Sequence, residues 1–221
     1  SGTLTMDRIG SVDVGGDFDV GQTGVSSLFA NATGQATGSG SARIRDVAGQ
    51  FAVAGDIDVG QTSAVAGAAA TGSGTLIMER IGSLSISGDL DVGQTGALGT
   101  PFGTGSATLK TIASVNIRAN IDAGVTTASP HGIASGAATL NIENSSVMLG
   151  FDNPLLPGQF NLAVVTAVAS NRGQATASAT LTDVQFASAG RIVVSELNGG
   201  GGSTTNSSTA MLRLVRSRLT A

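Results

Sequence analysis

The chain has no cysteine, no tryptophan and no tyrosine, and charged residues make up only 12% of its 221 residues. Typical soluble proteins carry about 25% charged residues. The lack of cysteine excludes disulfide bonds and thiolate metal sites. Phenylalanine is the only aromatic residue, with seven copies. Aromatic platforms that stack on sugars or bases are therefore scarce.

Positive charge is also scarce. The net charge is −4 and the isoelectric point is about 4.7, with no basic run outside the extreme C-terminus. Nucleic-acid binding needs a positive stripe, so we expect no nucleic-acid partner. No stretch of about 20 apolar residues is present, so the sequence predicts no transmembrane segment.

What the chain has is a repeat. The phrase Gly-Asp-apolar-Asp-Val-Gly-Gln-Thr occurs at Gly16–Thr23, Gly55–Thr62 and Gly88–Thr95, at intervals of 39 and 33 residues. Such a period means that one small structural unit is stacked on itself. The composition of 33 glycines and 41% hydrophobic residues, mostly small aliphatic ones, predicts a thin apolar core.

Within each unit the hydrophobic residues alternate with polar ones, which indicates short β-strands and almost no helix. Aligning the units on the leucine of the Thr-Leu phrase gives six full coils and the start of a seventh. The anchor residues are Leu4, Leu76, Leu109, Leu140, Leu181 and Leu212, with Arg43 in the slot of the second unit. The predicted fold is all-β: a parallel β-solenoid of about six coils with three short strands per coil.

We expect a single solenoid domain over residues 1–221. Its coils are regular over 1–145 and degenerate over 146–221, where Phe151–Pro157 and Gly199–Gly202 predict loop insertions. In the second unit, Ala42-Arg43-Ile44-Arg45 breaks the leucine pattern. A slip of one residue would turn Ile44 inward and both arginines outward, so a local bulge is expected there.

Aspartates in the third strand of the unit are the candidate functional residues. Stacked coils would place like charges about 4.8 Å apart, which is repulsive unless something neutralises them. A hard cation such as Ca²⁺, held by carboxylate and carbonyl oxygens, would do so. The candidate metal ligands are Asp17, Asp19, Asp56, Asp58, Asp89 and Asp91.

Other interpretations of the same aspartates stay open. They can point into solvent, or hydrogen-bond to turn amides and nearby threonine or arginine side chains. Paired carboxylates also occur in glycosidases, which makes a polysaccharide-degrading enzyme a further alternative. The lack of tryptophan and tyrosine disfavours that enzyme. The only histidine, His131, lies in a turn-like Ser-Pro-His-Gly phrase and offers no metal or catalytic site alone.

Other repeated positions indicate structural roles. Gln22, Gln61 and Gln94 follow glycine at the same turn, which predicts an axial ladder of side-chain amides. Gly-Ser-Gly and Gly-Thr-Gly phrases are expected at coil closures. Under the leucine alignment, Thr3 and Thr5 are not repeated as a pair, which argues against a threonine array of the kind that binds ice.

Several phrases resemble the glycine-rich solenoid repeats of bacterial surface proteins, including passenger regions of autotransporter-type adhesins and related extracellular repeat proteins. They include Gly38-Ser39-Gly40, Gly72-Ser73-Gly74-Thr75-Leu76 and Gly88-Asp89-Leu90-Asp91-Val92-Gly93. The resemblance covers residues 1–145 well and 146–221 loosely. It implies an extracellular or cell-surface location and an adhesive or scaffolding role.

The expected function is therefore structural and non-enzymatic: a β-solenoid subunit of an extracellular fibre, matrix or adhesin. Strand-one patterns at Gly2–Met6 and Met211–Val215 suggest ends that stack head to tail into homo-oligomers or filaments, with Arg213, Arg216 and Arg218 pairing with an acidic face of the next subunit. The alternative function is a calcium-dependent module that binds a surface glycan or protein. No other cofactor is expected.

Overall fold

The computed structural model describes residues 1–25, 35–64, 69–97, 101–128, 134–150, 160–167, 173–188, 192–199 and 206–220. In these ranges all regular structure is β-strand, with no helix. All of the strand pairs described are parallel. The strands wind around a common axis, which confirms the predicted all-β parallel solenoid.

Eleven strands, numbered in chain order, form the first sheet, called sheet A. One line of neighbouring strands runs along the axis: β1 (Gly2–Ile9), β5 (Gln35–Val53), β8 (Ala69–Ile86), β11 (Pro101–Ile117), β14 (Ala134–Glu143), β17 (Gly173–Thr182) and β20 (Asn206–Val215). Shorter strands extend the same sheet beyond a corner: β2 (Val12–Val14), β15 (Ser146–Leu149), β18 (Gln185–Ser188) and β21 (Arg218–Thr220).

Ten strands form the opposite sheet, called sheet B. One line consists of β3 (Phe18–Val20), β6 (Ile57–Val59), β9 (Leu90–Val92) and β12 (Ile121–Ala123). A second line consists of β4 (Thr23–Val25), β7 (Thr62–Ala64), β10 (Thr95–Ala97) and β13 (Thr126–Ala128). The longer β16 (Phe160–Ala167) pairs with both β12 and β13, and β19 (Ile192–Gly199) pairs with β16.

About four turns, ending at Ala128, share a regular succession of sheet A and sheet B strands. In the second to fourth of them the first two predicted short strands are joined into one long strand, followed by two strands of three residues each. The expected arrangement of three short strands is therefore corrected. The count of six coils stays a prediction.

Two inward-facing columns of apolar side chains fill the core behind sheet A. The first column is Leu4, Ala42, Leu76, Ala107, Leu140, Ala179 and Leu212. The second is Met6, Ile44, Met78, Leu109, Ile142, Leu181 and Leu214. The leucine alignment is thus wrong at Leu109 and Leu181, which belong to the second column. Both columns point to the same face, two residues apart, so leucine fits either.

The second unit does turn Ile44 inward, with none of its surface exposed, while Arg43 is exposed. The register is nevertheless continuous through these residues. The bulge lies further along β5, where the register against β8 shifts between Val47 and Gln50. The prediction of a bulge at Arg43 is therefore wrong. Ala42, and not the arginine, occupies the position of the leucine, so no bulge is needed there.

Glycine is required where the backbones of the two sheets approach each other closely. A Cβ atom on Gly40, in β5, would collide with the carbonyl oxygen of Val20 and the amide nitrogen of Gly60. Gly60 itself has φ of +73° and faces the carbonyl oxygen of Ser73, so only glycine suits this turn. The Gly-Ser-Gly phrase therefore lies inside a long strand, near its beginning, and its predicted place at a coil closure is wrong.

Candidate functional site

Four aspartates form one column on sheet B, each opposite the next across parallel strands. The pairs are Asp19 with Asp58, Asp58 with Asp91, and Asp91 with Asp122. The next strand places Asn161 opposite Asp122. Parallel neighbours are about 4.8 Å apart, so the predicted stacking of like charges is confirmed. We call this set the second aspartate column.

The first aspartate of each phrase lies just before its strand and forms a separate column, called the first aspartate column. Asp17 Oδ1 accepts a hydrogen bond from the Asp56 backbone nitrogen at 3.0 Å. Asp56 Oδ1 accepts one from the Asp89 nitrogen at 2.7 Å, and Asp89 Oδ1 one from the Asn120 nitrogen at 2.7 Å. Each carboxylate therefore binds a backbone amide of the next turn, as one of the interpretations of the sequence expected.

The glycine before each of these aspartates makes room for that hydrogen bond. A Cβ atom on Gly55 would collide with Asp17 Oδ1, and one on Gly88 would collide with Asp56 Oδ1. The two residues of the Gly-Asp dipeptide therefore act together. The glycine leaves space for the carboxylate of the previous turn, and the aspartate accepts a hydrogen bond from a backbone amide of the following turn. Its recurrence follows from the stacking of the turns.

The second aspartate column lies in a different environment. Asp58 and Asp91 are only 7% and 6% exposed. Asp58 Oδ1 and Asp91 Oδ1 are buried and have no hydrogen-bond partner. An unpaired buried charge is costly, and a carboxyl group usually avoids the cost by keeping its proton.

Burial is the main cause of the shifted acidity in this column. It raises the pKa of Asp91 to about 9, and the neighbouring carboxylates of Asp122, Asp89 and Asp58 raise it in the same direction. Burial also raises the pKa of Asp58 to about 6, with Asp19 and Asp56 as further causes. Desolvation and like charge both disfavour the ionised form. Burial and the neighbouring carboxylates therefore both favour the protonated form of Asp91.

The six predicted metal ligands divide between the two columns. Asp17, Asp56 and Asp89 each commit an oxygen to a backbone amide, whereas Asp19, Asp58 and Asp91 stack in a line. Within the described part of the chain, no group of three or more carboxylate, histidine or cysteine side chains is arranged to hold a metal ion. Calcium binding stays a prediction, and His131 lies outside the described residues.

The predicted glutamine ladder is confirmed. Gln22 Nε2 donates to Gln61 Oε1 at 2.7 Å, and Gln61 Nε2 donates to Gln94 Oε1 at 2.8 Å. The ladder follows the glycine turn at which the two sheets meet. These side-chain hydrogen bonds connect successive turns along the axis.

A column of alternating charge on sheet A was not recognised in the sequence. Asp7 lies opposite Arg45, Arg45 opposite Glu79, Glu79 opposite Lys110, and Lys110 opposite Glu143. Arg45 Nε lies 3.2 Å from Glu79 Oε2, and Lys110 Nζ lies 2.8 Å from Glu143 Oε2. Alternation becomes visible only when the true register is used, because neighbouring coils carry opposite signs.

A corner immediately follows this column, and every turn passes it in a left-handed backbone conformation. Its residues have φ between 47° and 55°: Arg8, Asp46, Arg80, Thr111, Asn144, Asp183 and Arg216. Arg80 donates to both carboxylate oxygens of Asp46, at 2.5 and 2.8 Å, and Arg216 donates to both of Asp183, at 2.6 and 2.5 Å. We call these residues and the alternating column the charged corner.

Hydroxyl side chains also align on the outward face of sheet A. One file contains Thr3, Ser41, Thr75, Ser106, Thr139 and Ser178. A parallel file contains Ser39, Ser73, Thr104, Thr176 and Thr209, with Ala137 between Thr104 and Thr176. A shallow depression of about 330 Å³ lies among them. Alignment on the Gly-x-Gly phrase would have found these files, which the leucine alignment missed.

Comparison with models of known protein families found no match, and comparisons with curated proteins and with solved structures found none either. No helix suited to crossing a membrane occurs among the residues that the structure describes. The functional argument therefore rests on the geometry and the repeated phrases of this chain.

Proposed function

We propose that this chain is a structural, non-enzymatic protein: a β-solenoid rod of about six coils in an extracellular fibre, matrix or adhesin. The observation that supports it is the continuity of sheet A, in which β1, β5, β8, β11, β14, β17 and β20 pair in unbroken order. Six spacings of about 4.8 Å give a rod about 30 Å long.

Side-chain ladders parallel to the axis reinforce this rod. The glutamine ladder, the first aspartate column and the charged corner each connect one turn to the next. Such ladders make stacking specific for register, because a shifted turn would lose its partners. A rigid, register-specific stack suits a load-bearing or spacing role.

One end of sheet A offers a surface for a second copy of the chain. Met211, Leu212 and Leu214 on β20 are 55%, 40% and 44% exposed. At the other end, Leu4 and Met6 on β1 are only partly buried against the core. Leu212 belongs to the column of Leu4, and Leu214 to the column of Met6. Stacking β1 of a second copy on β20 would therefore continue both apolar columns.

In this proposed contact the C-terminal arginines would not meet the aspartate columns of the next subunit. Arg213 and Arg218 lie on sheet A strands, and Arg216 lies at its corner, whereas the aspartate columns belong to sheet B. In a head-to-tail contact Arg216 would lie opposite Arg8 of the second copy, since both occupy the left-handed corner position. Repulsion between these two arginines would oppose the association that the continued apolar columns favour.

Concentration-dependent assembly tests the proposal. Sedimentation and electron microscopy should show filaments of the unaltered chain, and the double substitution L212D/L214D should leave single rods. The matched control S207D/T209D adds the same charge to β20 at positions of the outward register. Arg8→Asn should lower the concentration at which filaments form, because it removes the Arg8–Arg216 repulsion. Single rods of the unaltered chain at every concentration would contradict head-to-tail assembly.

The extracellular location belongs to the same proposal and rests on the resemblance of the glycine-rich phrases to bacterial surface repeats. Protease treatment of intact cells that express the protein tests it directly. Digestion of the protein without cell lysis is the expected result. Protection until the cells are lysed would place the rod inside the cell.

The competing function is a calcium-dependent module that binds a surface glycan or protein. The specific observation in its favour is the pair of unpartnered oxygens, Asp58 Oδ1 and Asp91 Oδ1, on neighbouring strands. Thermal unfolding in EDTA and in excess calcium tests it. A midpoint that rises with calcium would support this function, and identical midpoints would remove the cation from consideration.

A further inference from the structure

The two hydroxyl files on the outward face of sheet A are not used by the ladders of the rod or by its ends. We call the two files together the hydroxyl face. The depression of about 330 Å³ lies on this face and extends over four neighbouring strands, β8, β11, β14 and β17. Thr75, Thr104, Thr139 and Thr176 are among the side chains around it, and glycine and alanine residues such as Gly105 lie between the files.

The surface of the depression is uncharged. None of the described residues that line it carries a charge. Further along the same strands, the outward face carries Glu79, Lys110 and Glu143, so the sheet accepts charged side chains close to the depression but not in it. An uncharged surface favours a neutral ligand. Because hydroxyl groups both donate and accept hydrogen bonds, these side chains suit a ligand that carries many hydroxyl groups of its own.

The threonine hydroxyl groups around the depression are available to such a ligand. On sheet B, by contrast, Thr62 and Thr95 are buried, and each donates a hydrogen bond to a backbone carbonyl oxygen. Thr75, Thr139 and Thr176 are exposed on sheet A. In the part of the chain that the structure describes, their hydroxyl groups have no hydrogen bond of that kind to another residue. The threonines of sheet B therefore have a structural role that those of the hydroxyl face lack.

An aromatic ring lies beside the depression. Phe102 is 43% exposed and precedes Thr104 by two residues on β11, so the two side chains leave the same face about 6.6 Å apart along the strand. Its neighbours on the adjacent strands are Thr71 and Ser135, whose side chains are shorter. The ring therefore offers an apolar surface next to a group of hydroxyls. A sugar presents the complementary combination, with an apolar C–H face and a rim of O–H groups.

The spacing of the hydroxyl face favours a polymer over a single sugar. Hydroxyl groups in one file repeat at the strand spacing of about 4.8 Å, which is close to the length of one sugar residue in an extended chain. An extended β-linked chain along the rod axis would therefore place about one sugar residue over each turn. An α-linked glucan coils, so it would leave the sheet surface after a short contact.

We propose that the hydroxyl face binds an extended, neutral, β-linked polysaccharide, which lies along the rod axis in the depression with one sugar residue against Phe102. This site would give the adhesin form of the proposed function its ligand class, and it rests on that proposal. It differs from the calcium-dependent alternative, because its side chains are uncharged and lie on sheet A, whereas the aspartate columns lie on sheet B.

Isothermal titration calorimetry with cellohexaose and with chitohexaose tests the site. We expect at least one of these neutral β-linked oligosaccharides to bind the unaltered chain in buffer that contains EDTA, and maltohexaose, which is α-linked, not to bind. Failure of both β-linked probes to bind would overturn the proposal. So would binding that EDTA abolishes, because the calcium-dependent alternative would then account for it.

The double substitution T104V/T139V tests the position of the site. Valine keeps the shape of threonine and favours strands, while it removes two hydroxyl groups from the depression. We expect binding to weaken about tenfold, as the loss of two hydrogen bonds implies. Thr108→Val is the matched control, because Thr108 lies on the same face of β11 but outside the depression. Equal affinities for the double variant and the control would overturn the site.

Ala137→Thr separates a chain in the depression from binding to a flat array of hydroxyl groups. The substitution completes the file between Thr104 and Thr176 and fills part of the depression. We expect it to weaken the binding of the β-linked probe. Unchanged or tighter binding would overturn the depression as the site, because a regular array would then be the feature that the ligand contacts.

The outcomes for this site and for the rod can be told apart, because filament formation is measured without any sugar. Filaments of an unaltered chain that binds neither β-linked probe would overturn the polysaccharide site and leave the structural role in place. Binding of a probe by single rods that never assemble would support the site and contradict the head-to-tail contact.

Discussion

The charged corner of sheet A and the aspartate columns of sheet B stack ionisable side chains at the same spacing, but with different signs. Along the corner, Arg45 lies between Asp7 and Glu79, and Lys110 lies between Glu79 and Glu143. Along sheet B, Asp58 lies between Asp19 and Asp91. Opposite charges across neighbouring strands are favourable and like charges are unfavourable. The same solenoid therefore contains an attractive and a repulsive arrangement.

The difference shows that a stacked charged residue needs a partner that does not carry the same charge. At the corner the partner is the residue of opposite sign in the next turn. In the first aspartate column it is a backbone N–H, as between Asp56 Oδ1 and the Asp89 nitrogen. In the second column no such donor is present for Asp58 Oδ1 or Asp91 Oδ1.

Asp56→Ala should have the largest effect of the substitutions that test this comparison. It removes the acceptor of the Asp89 backbone N–H, which is partly buried, and an unsatisfied donor of this kind costs about 1–3 kcal/mol. We expect the free energy of unfolding to fall by that amount in urea denaturation. The fall should be nearly independent of salt, because a hydrogen bond to a backbone amide is lost and no ion pair is broken.

Asp56→Asn is the matched control for this prediction. Asparagine keeps an oxygen at the same place and can still accept from the Asp89 nitrogen, while it removes one negative charge near Asp58 and Asp91. Stability at pH 8 should equal or exceed that of the unaltered chain. If Asp56→Asn and Asp56→Ala lowered stability equally, the carboxylate charge rather than the hydrogen bond would be the stabilising feature.

Glu79→Lys should have a smaller effect, and one that depends on salt. The substitution converts the attraction of Glu79 for Arg45, at 3.2 Å, and for Arg80, at 3.7 Å, into repulsion, and it also places a lysine opposite Lys110. Partly exposed charges contribute little each, and salt screens them. Thermal unfolding at 0.05 M and 1 M NaCl, with Glu79→Gln as the neutral control, measures this; a salt-independent loss would contradict the ion-pair account.

The fold and one ladder followed from the sequence because identical residues at identical turns become neighbours in a stack. The recurrence of Gln22, Gln61 and Gln94 was sufficient to predict the amide ladder that the structure contains. The period of two predicted the strands, and the spacing of the repeats predicted the parallel solenoid. These inferences needed only approximate register.

The remaining features could be predicted only with the exact register between neighbouring strands, which apolar residues do not define. Leu109 and Leu181 belong to the methionine column and not to that of Leu4, since both columns face the core and accept leucine. Glycine is a better marker, because Gly40 and Gly74 lie where backbone contacts backbone and no side chain fits. The alternating charges and the two hydroxyl files depended on that register. The burial of Asp91 depended on three-dimensional packing and had no signal in the sequence.

Arg80→Asn should have the smallest effect of the three, although it removes a bidentate ion pair. The Arg80 side chain is 52% exposed and that of Asp46 is 36% exposed, so solvent and salt screen their attraction. Asparagine also tolerates the left-handed backbone at this corner, where φ is 55°, better than arginine does, which offsets part of the loss. The lost arginine should let the pKa of Asp46 rise towards its ordinary value, because the hydrogen bond from Arg80 lowers it.

Arg216→Asn is the matched comparison: Arg216 is 72% exposed, so its loss should shift the thermal midpoint even less. A loss for Arg80→Asn as large as that for Asp56→Ala would contradict this order, because the corner would then connect the turns as strongly as the backbone-bound aspartates do.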